Sequence, residues 1–296
     1  MSTMRYLSLL LLTTFLMGIA FPIGRIGLDY APPFLLMAIR YLIAGGIMAV
    51  IVARRQQPRG IQWLQASVIG LLQSTGVMGC CYFSMRWITS SESAILTFVN
   101  PLLVIVLGSL FTKASYRVGQ WLGVAVGFVG VAVTFGFHVN LSPGTFICLA
   151  AAFCFAAATL LIKRWGAAFD TMVLTTYQML AGGIGLLLLS ALAEKPVFEW
   201  NSTSISVVLL LALFCSIVQF SGWYYLLQNG DAAKTSSFLF LAPFFGVLTS
   251  WMLLGEQLHL YVAVGGAFIC AGIFLVNRQG RKSRSASSGK AAAAEI

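Results

Sequence analysis

Residues 94–133 read AILTFVNPLLVIVLGSLFTKASYRVGQWLGVAVGFVGVAV, and residues 236–275 read SSFLFLAPFFGVLTSWMLLGEQLHLYVAVGGAFICAGIFL. An offset of 142 residues aligns the two without a gap. Pro101 falls on Pro243, Gly123 on Gly265, Ala125 on Ala267 and Gly130 on Gly272. Upstream, Ser74 falls on Ser216 and Tyr82 on Tyr224. An offset of 137 lays Ala44-Gly45-Gly46-Ile47 on Ala181-Gly182-Gly183-Ile184. Self-similarity at a fixed offset marks a duplicated architecture. The chain divides into halves of about 1–137 and 142–280, followed by a basic tail, 281–296, read as disordered.

Both segments are apolar, and so is the rest of the chain. Of its 296 residues, 59% are apolar and 9% charged, and the mean hydropathy is +0.91. Soluble domains carry about 25% charged residues. The composition excludes a soluble enzyme, and equally a disordered chain. A membrane-spanning helix needs about 20 mostly apolar residues. Ten runs qualify: 6–24, 33–53, 64–85, 92–111, 119–137, 143–162, 171–192, 205–227, 233–254 and 260–277. Their length, and the lack of alternation with period two, predict helices and not a barrel. Five runs per half is an odd number, so the second half crosses the membrane inverted relative to the first. The predicted fold is an all-α integral membrane protein of ten helices in two inverted five-helix repeats. Such repeats place a small-molecule site near the midplane and support alternating access.

Charge sets the orientation. Fourteen of the 18 Lys and Arg fall on the side of the termini, three (Arg25, Arg86, Lys195) on the other, and Arg40 inside a run. The positive-inside rule then places both termini in the cytoplasm. The net charge of +10 is accounted for by topology, with no nucleic-acid partner implied. The tail's positive charges either anchor topology or touch anionic lipid. The first run could also serve as a signal peptide with Gly18-Ile19-Ala20 as its cleavage site, but it is long for that role.

Gly18-Ile-Ala-Phe-Pro-Ile-Gly-Arg25 closes the first run, Pro33-Phe34 leads to Arg40-Tyr-Leu-Ile-Ala44, Pro101 sits in the fourth run, and Gly255-Glu256 precedes a Gly-rich last run. In order and spacing this set resembles the drug/metabolite transporter superfamily, in its ten-helix EamA-like branch, over about residues 5–278. The resemblance implies a multi-pass carrier of the bacterial inner membrane that exports amino acids or other metabolites. It also implies a cavity lined by the first, third, fourth, sixth, eighth and ninth helices. Two positions depart from the pattern: Met17 where Trp is frequent, and Lys113-Ala114 where a second Gly-Glu is usual.

The residue types nominate substrate-handling positions. Arg40 is the one charge well inside a run, costly unless paired or hydrated. It either grips a substrate carboxylate through bidentate bonds or binds helix carbonyls and locks the bundle. Ser74, Val77 and Cys81, with Ser216, Gln219 and Trp223, form matching polar stripes flanked by Tyr82 and Tyr224. Such stripes serve as cavity walls or as interhelical hydrogen-bonding faces. Gln73, Gln178 and Asn100 join the candidate lining. Pro22, Pro101 and Pro243 are candidate kinks or hinges, because proline frees the carbonyl four residues back. Glu256, His259, Glu92 and Arg86 are external gate residues or solvated helix ends. Gly119, Gly123 and Gly127 form a small-residue stripe that serves a homodimer or packs inside a monomer.

No cofactor or metal is expected. The six cysteines have no ligand spacing and read as buried packing residues. None of the eight acids lies mid-membrane, so a proton relay is missing and facilitated diffusion or exchange is expected. HExxH, GxSxG and a phosphate loop are all absent, against an enzyme or an ATP-driven pump. Arg40 and the missing embedded acids favour zwitterions or anions. The alternative is efflux of drugs or other lipophilic or cationic compounds.

Overall fold

The computed structural model describes residues 3–112, 117–134, 142–229, 241–257, 259–272 and 274–275. The tail 281–296 lies outside them, as do Lys113, Lys234 and His138.

Among the described residues, ten apolar helices follow the ten runs. They are α1 (Thr3–Gly27), α2 (Pro33–Val52), α3 (Ile61–Ser84), α4 (Ser90–Thr97, then Asn100–Thr112) and α5 (Val118–Thr134). The second half gives α6 (Pro143–Trp165) and α7 (Thr171–Ala193). It continues with α8 (Ser202–Leu209, Leu210–Val218, Gln219–Asn229), α9 (Leu241–Leu254) and α10 (Leu260–Gly272). Seven are long enough to cross a bilayer, and α5, α9 and α10 are shorter among the described residues. No strand is present among the described residues.

Local chemistry starts these helices. Thr89 and Glu92 form a reciprocal capping box at α4, as the Thr-x-x-Glu spacing dictates. Asn201 and Ser204 do the same for α8, Ser142 followed by Pro143 opens α6, and Asp170 caps α7. Within α4 the helix breaks at Phe98–Val99, just before Asn100-Pro101. Pro101 has no N–H to offer the Thr97 carbonyl, so the expected interruption falls where the chain loses that bond. Pro22, by contrast, sits inside a continuous α1. Pro243 lies within α9, at the third residue of its described part.

One feature that periodicity did not reveal recurs in both halves. Residues 71–79 of α3 and 210–218 of α8 are each wound as a nine-residue π-helix. π-turns are rare and cluster at functional sites.

Two crossings build the inverted repeat. In the first, α2 and α7 run antiparallel. A Cβ on Gly45 would meet the Leu180 side chain at 2.9 Å, and one on Gly183 would meet Leu42 at 3.0 Å. Leu42 and Leu180, like Gly45 and Gly183, are 138 residues apart. The packing thus repeats one residue out of register with the 137-residue match of the Ala-Gly-Gly-Ile strings. In the second crossing, between α5 and α10, a Cβ on Gly130 would lie 2.7 Å from the Gly265 carbonyl oxygen and 2.7 Å from the Ile269 nitrogen. One on Gly272 would lie 2.6 Å from the Gly123 oxygen and 2.7 Å from the Gly127 nitrogen. These pairs exchange under the offset of 142. Each reciprocal set is the signature of a pseudo-twofold axis between the halves. Gly123 and Gly127 therefore serve packing inside the chain.

The ends of the bundle differ in charge. One end holds Arg54, Arg55, Arg59, Lys163 and Arg164, and there Arg55 pairs with Asp170 at 2.9 Å. We call it the basic end. The other, the acidic end, gathers Glu194, Arg86, Arg25 and Glu256 around the starts of α2 and α4. Apolar side chains such as Leu110, Leu122, Leu188 and Leu192 are exposed on the flanks, as a lipid-facing surface requires.

Candidate functional site

Where the halves meet, Arg40 of α2 is 1% exposed. Its Nε donates to Ser216 Oγ at 2.8 Å and its Nη2 to the Cys215 carbonyl at 2.6 Å. Its guanidinium carbon sits 5.2 Å from the centre of the Tyr41 ring. Both acceptors belong to the π-wound part of α8, where Ser216 Oγ also donates to Leu211 O at 3.0 Å. Arg40 thus joins α2 to α8 across the repeat boundary.

At the offset of 138, Arg40 corresponds to Gln178, and at 142 Ser216 corresponds to Ser74. The second pair occupies the seam between α7 and α3, which run parallel. Gly182 packs on Ser74, and Gly70 on the Gln178 backbone. Gln178 is fully buried, and neither amide atom has a hydrogen-bond partner among the described residues. Gln73 is 6% exposed, with an unpartnered Oε1. The two seams are alike in backbone and unlike in polar satisfaction.

Other nominated residues separate into groups. Tyr82 donates its hydroxyl to the Ala20 carbonyl at 2.6 Å, and its ring occupies the space that a side chain at Gly24 would need. That holds α3 against α1. Cys81 lies 3.1 Å from Ser93 Oγ and 3.3 Å from Thr97 Oγ1, and Cys148 of α6 shares both hydroxyls. The six cysteines are thiols, none of them in a disulfide. Ser74, Asn100, Ser216 and Gln219 are buried, and Trp223 is half-buried. The helix positions of Pro101 and Tyr224 are described, but their side chains lie outside the described residues. Of the nominated residues, a hydrogen bond joins Arg40 to Ser216, while Tyr82 donates to the Ala20 carbonyl.

A cleft of about 530 Å³ opens at the acidic end. Arg25, Asp29, Arg86, Thr89, Glu92 and Glu256 supply its polar lining. Beneath it the helix ends are tied together. Arg25 Nη1 donates to the Met85 carbonyl at 2.6 Å, and Phe21 meets Phe98 with ring centres 6.0 Å apart. Glu256 accepts from the backbone and hydroxyl of both Ser90 and Ser91 at 2.5–3.1 Å. Glu194, its side chain 1% exposed, accepts from Phe34 N at 3.1 Å, Leu35 N at 3.4 Å and Arg86 at 3.4 Å. Sequence reasoning left Glu194 as a surface acid. The signal available was Pro32-Pro33, a helix start whose N-cap has no side-chain acceptor.

At the basic end the Asp170 carboxylate accepts from Met172 N at 2.9 Å and Val173 N at 3.3 Å. Partial burial pushes its pKa up, but the Arg55 guanidinium and those two N–H groups outweigh it and hold the carboxyl below the usual aspartate range. Among the described residues no group of His, Cys, Asp or Glu is placed to hold a metal ion.

Helices that cross antiparallel about a pseudo-twofold axis, with a charged residue tied across the boundary, define a multi-pass membrane protein of the inverted-repeat class. The EamA-like transporter family model matches residues 4–136 and again 142–278. The chain belongs to that family and is a membrane transporter of small molecules. It is 26% identical over 279 residues to an uncharacterized transporter, YvbV, of Bacillus subtilis, covering 92% of this chain and 91% of that one. An uncharacterized transporter of Archaeoglobus fulgidus is 26% identical over 279 residues, covering 90% and 95%. A probable terminal-alkyne amino-acid exporter of Streptantibioticus cattleyicolor is 26% identical over 296 residues, covering 95% and 97%. A solved crystal structure superposes with a TM-score of 0.64 at 21% identity, covering 93% of this chain and 96% of that chain, and supports the fold.

Proposed function

We propose that this protein exports small zwitterionic or anionic metabolites, amino acids first, across a bacterial plasma membrane by alternating access. The observation that carries the reading is the pair of reciprocal crossings. Two inverted halves that meet through matched helices can rock about their shared axis and expose a central site to each side in turn. We take the basic end to be cytoplasmic, by the positive-inside rule, with repeats at 1–137 and 142–280. The probable terminal-alkyne amino-acid exporter among the relatives supports the substrate class, as does a sequence with no acid inside the apolar runs to attract a cation. With no acid inside the spans, we infer facilitated diffusion or exchange, with no catalytic step.

For Arg40 the favoured role is structural. Two of its donors are committed to Ser216 and Cys215, and a lone guanidinium in the membrane would be costly. Arg40→Lys separates the roles. A structural Arg40 predicts lower thermal stability with unchanged substrate affinity in the folded fraction. A substrate-binding Arg40 predicts the reverse.

The direct test is uptake of radiolabelled amino acids into proteoliposomes, with and without an imposed pH gradient. Saturable uptake indifferent to the gradient supports the reading. Accumulation driven by the gradient overturns the facilitator mechanism. Absence of uptake for every amino acid, with folded protein, overturns the substrate class and turns the search to lipophilic or cationic compounds.

A further inference from the structure

The acidic end carries a fastening whose sequence counterparts in the other half are alanines. Helix α9 ends at Leu254, and Gly255 follows at φ +63°, a left-handed turn that glycine adopts without strain. That turn brings Glu256 to the start of α4. There its carboxylate accepts from Ser90 N (2.9 Å), Ser90 Oγ (2.7 Å), Ser91 N (3.1 Å) and Ser91 Oγ (2.5 Å). Ser90 Oγ also donates to Ser250 Oγ of α9 at 2.8 Å. A carboxylate at a helix start satisfies N–H groups that have no partner within the helix and meets the positive end of the helix dipole. This carboxylate comes from the other repeat, so it joins two halves. Thr89 and Glu92 already form a capping box at that start, so the N-terminus of α4 has a cap of its own. That box takes the N–H groups of Glu92 and Thr89, so those of Ser90 and Ser91, with both hydroxyls, are left to the Glu256 carboxylate from the other half.

The offset of 142 names the residues that would make the same fastening at the basic end. Glu256 corresponds to Ala114, and Ser90 and Ser91 correspond to Ala232 and Ala233. All three carry a methyl group where the acidic end has a carboxylate or a hydroxyl.

We propose that Glu256 is a one-sided latch, holding α4 of the first half to α9 of the second and setting how often the acidic end opens. It rests on the alternating-access reading above. Charge-assisted hydrogen bonds are about twice as strong as neutral ones, so four on one carboxylate bias the transporter toward the state closed at this end. Opening requires Ser90 and Ser91 to leave Glu256, and the cleft lined by Arg25 and Glu256 then deepens toward Cys81.

Cys81 reports the opening without any substrate. It is buried, beside Ser93 on the same helix as the latch. The measurement is the rate at which a membrane-impermeant cationic methanethiosulfonate modifies Cys81, with the other five cysteines replaced by Ala. The reagent is applied to right-side-out and to inside-out vesicles. Glu256→Ala, and separately Ser90→Ala with Ser91→Ala, should each accelerate modification roughly fivefold or more, the population change expected from losing a few such bonds. The acceleration should appear from the acidic side alone. Unchanged rates from both sides in folded protein overturn the latch. Acceleration from both sides also overturns it, because the contact is then a general brace. Loss of folded protein in both variants overturns it too, as a purely structural clamp. Faster modification in a protein that moves no amino acid keeps the latch and removes only the substrate assignment.

Discussion

The two ends of the bundle solve one problem with opposite chemistry. At the acidic end α2 begins Pro32-Pro33, and Pro32 is the N-cap, in extended backbone at φ −64° and ψ 153°. It has no side-chain acceptor for the N–H groups of Phe34 and Leu35, so Glu194 supplies one from the end of α7. At the basic end α7 begins at the N-cap Asp170, at φ −63° and ψ 128°. Met172 and Val173 are the 138-residue counterparts of Phe34 and Leu35, and Asp170 caps both from within its own helix. Arg55, at the end of α2, then pairs with Asp170 from across the boundary. The acid comes from the opposite half at one end and from the same helix at the other. A cap supplied from the opposite half makes helix stability and the contact between halves one quantity. A cap within the helix leaves them separate.

The crossing of α5 and α10 sets the scale for that comparison, because there the halves match. Gly130→Leu and Gly272→Leu should be equally damaging and the most severe changes considered. Each puts a side chain against backbone atoms, which cannot move aside as a flexible side chain can. The expected result is loss of monodisperse protein by size-exclusion chromatography for both. Survival of one and loss of the other would break the symmetry of the α5–α10 crossing.

Glu194→Ala comes next. It leaves two N–H groups of α2 without their acceptor beside a side chain that is 1% exposed, while the Arg86 guanidinium, 43% exposed, turns to water. The loss should be about 2 kcal/mol, at the upper end for a helix cap. The measurement is thermal unfolding in detergent. Asp170→Ala, at a position whose side chain is 35% exposed, should cost less, about 0.5–1 kcal/mol. Equal losses would erase the difference between the ends.

A transplant sharpens the point. Pro32 and Asp170 share backbone geometry, so Pro32→Asp should install the within-helix cap at the acidic end. In a Glu194→Ala background it should recover half or more of the lost stability. No recovery would mean that Glu194 acts through Arg86 and not through α2.

The smallest effect is a dependence on pH. The folded state holds Asp170 below the usual aspartate range. Its contribution is therefore complete above the unfolded pKa and is lost as the pH falls through the folded one. Thermal stability should decline slightly below the ordinary aspartate range, and Asp170→Asn should remove that part of the slope. Because the carboxylate is partly exposed, the difference should be small and should shrink further in salt.

Much of the fold is legible in the amino-acid order because the bilayer forces it to be. Ten apolar runs, an odd number per half and the glycines shared at an offset of 142 are enough to give ten helices in inverted repeats. With no water in the hydrocarbon core, a helix is what those runs can form. Gly130 and Gly272 were visible as matched positions, and Pro101 as the place where α4 breaks. The candidate site was legible only as a set of residue types. Arg40 stood out as an embedded charge, but its bonds to Ser216 and the Cys215 carbonyl depend on α2 meeting a π-wound α8, and no periodicity announces that winding. The exact-string match at 137 pointed one residue away from the packing at 138, because helices mesh by shape and an Ala-Gly-Gly string offers two registers. Glu194 read as an outer acid and Glu256 as an external gate residue or a solvated helix end, since a carboxylate shows its sign in the sequence and not its partner. The sequence by itself determined the class, the spans and the sidedness of charge, all of which follow from transfer between water and lipid. The tertiary structure alone decided which helix starts those acids hold, because their partners lie about 160 residues away in the other half of the chain.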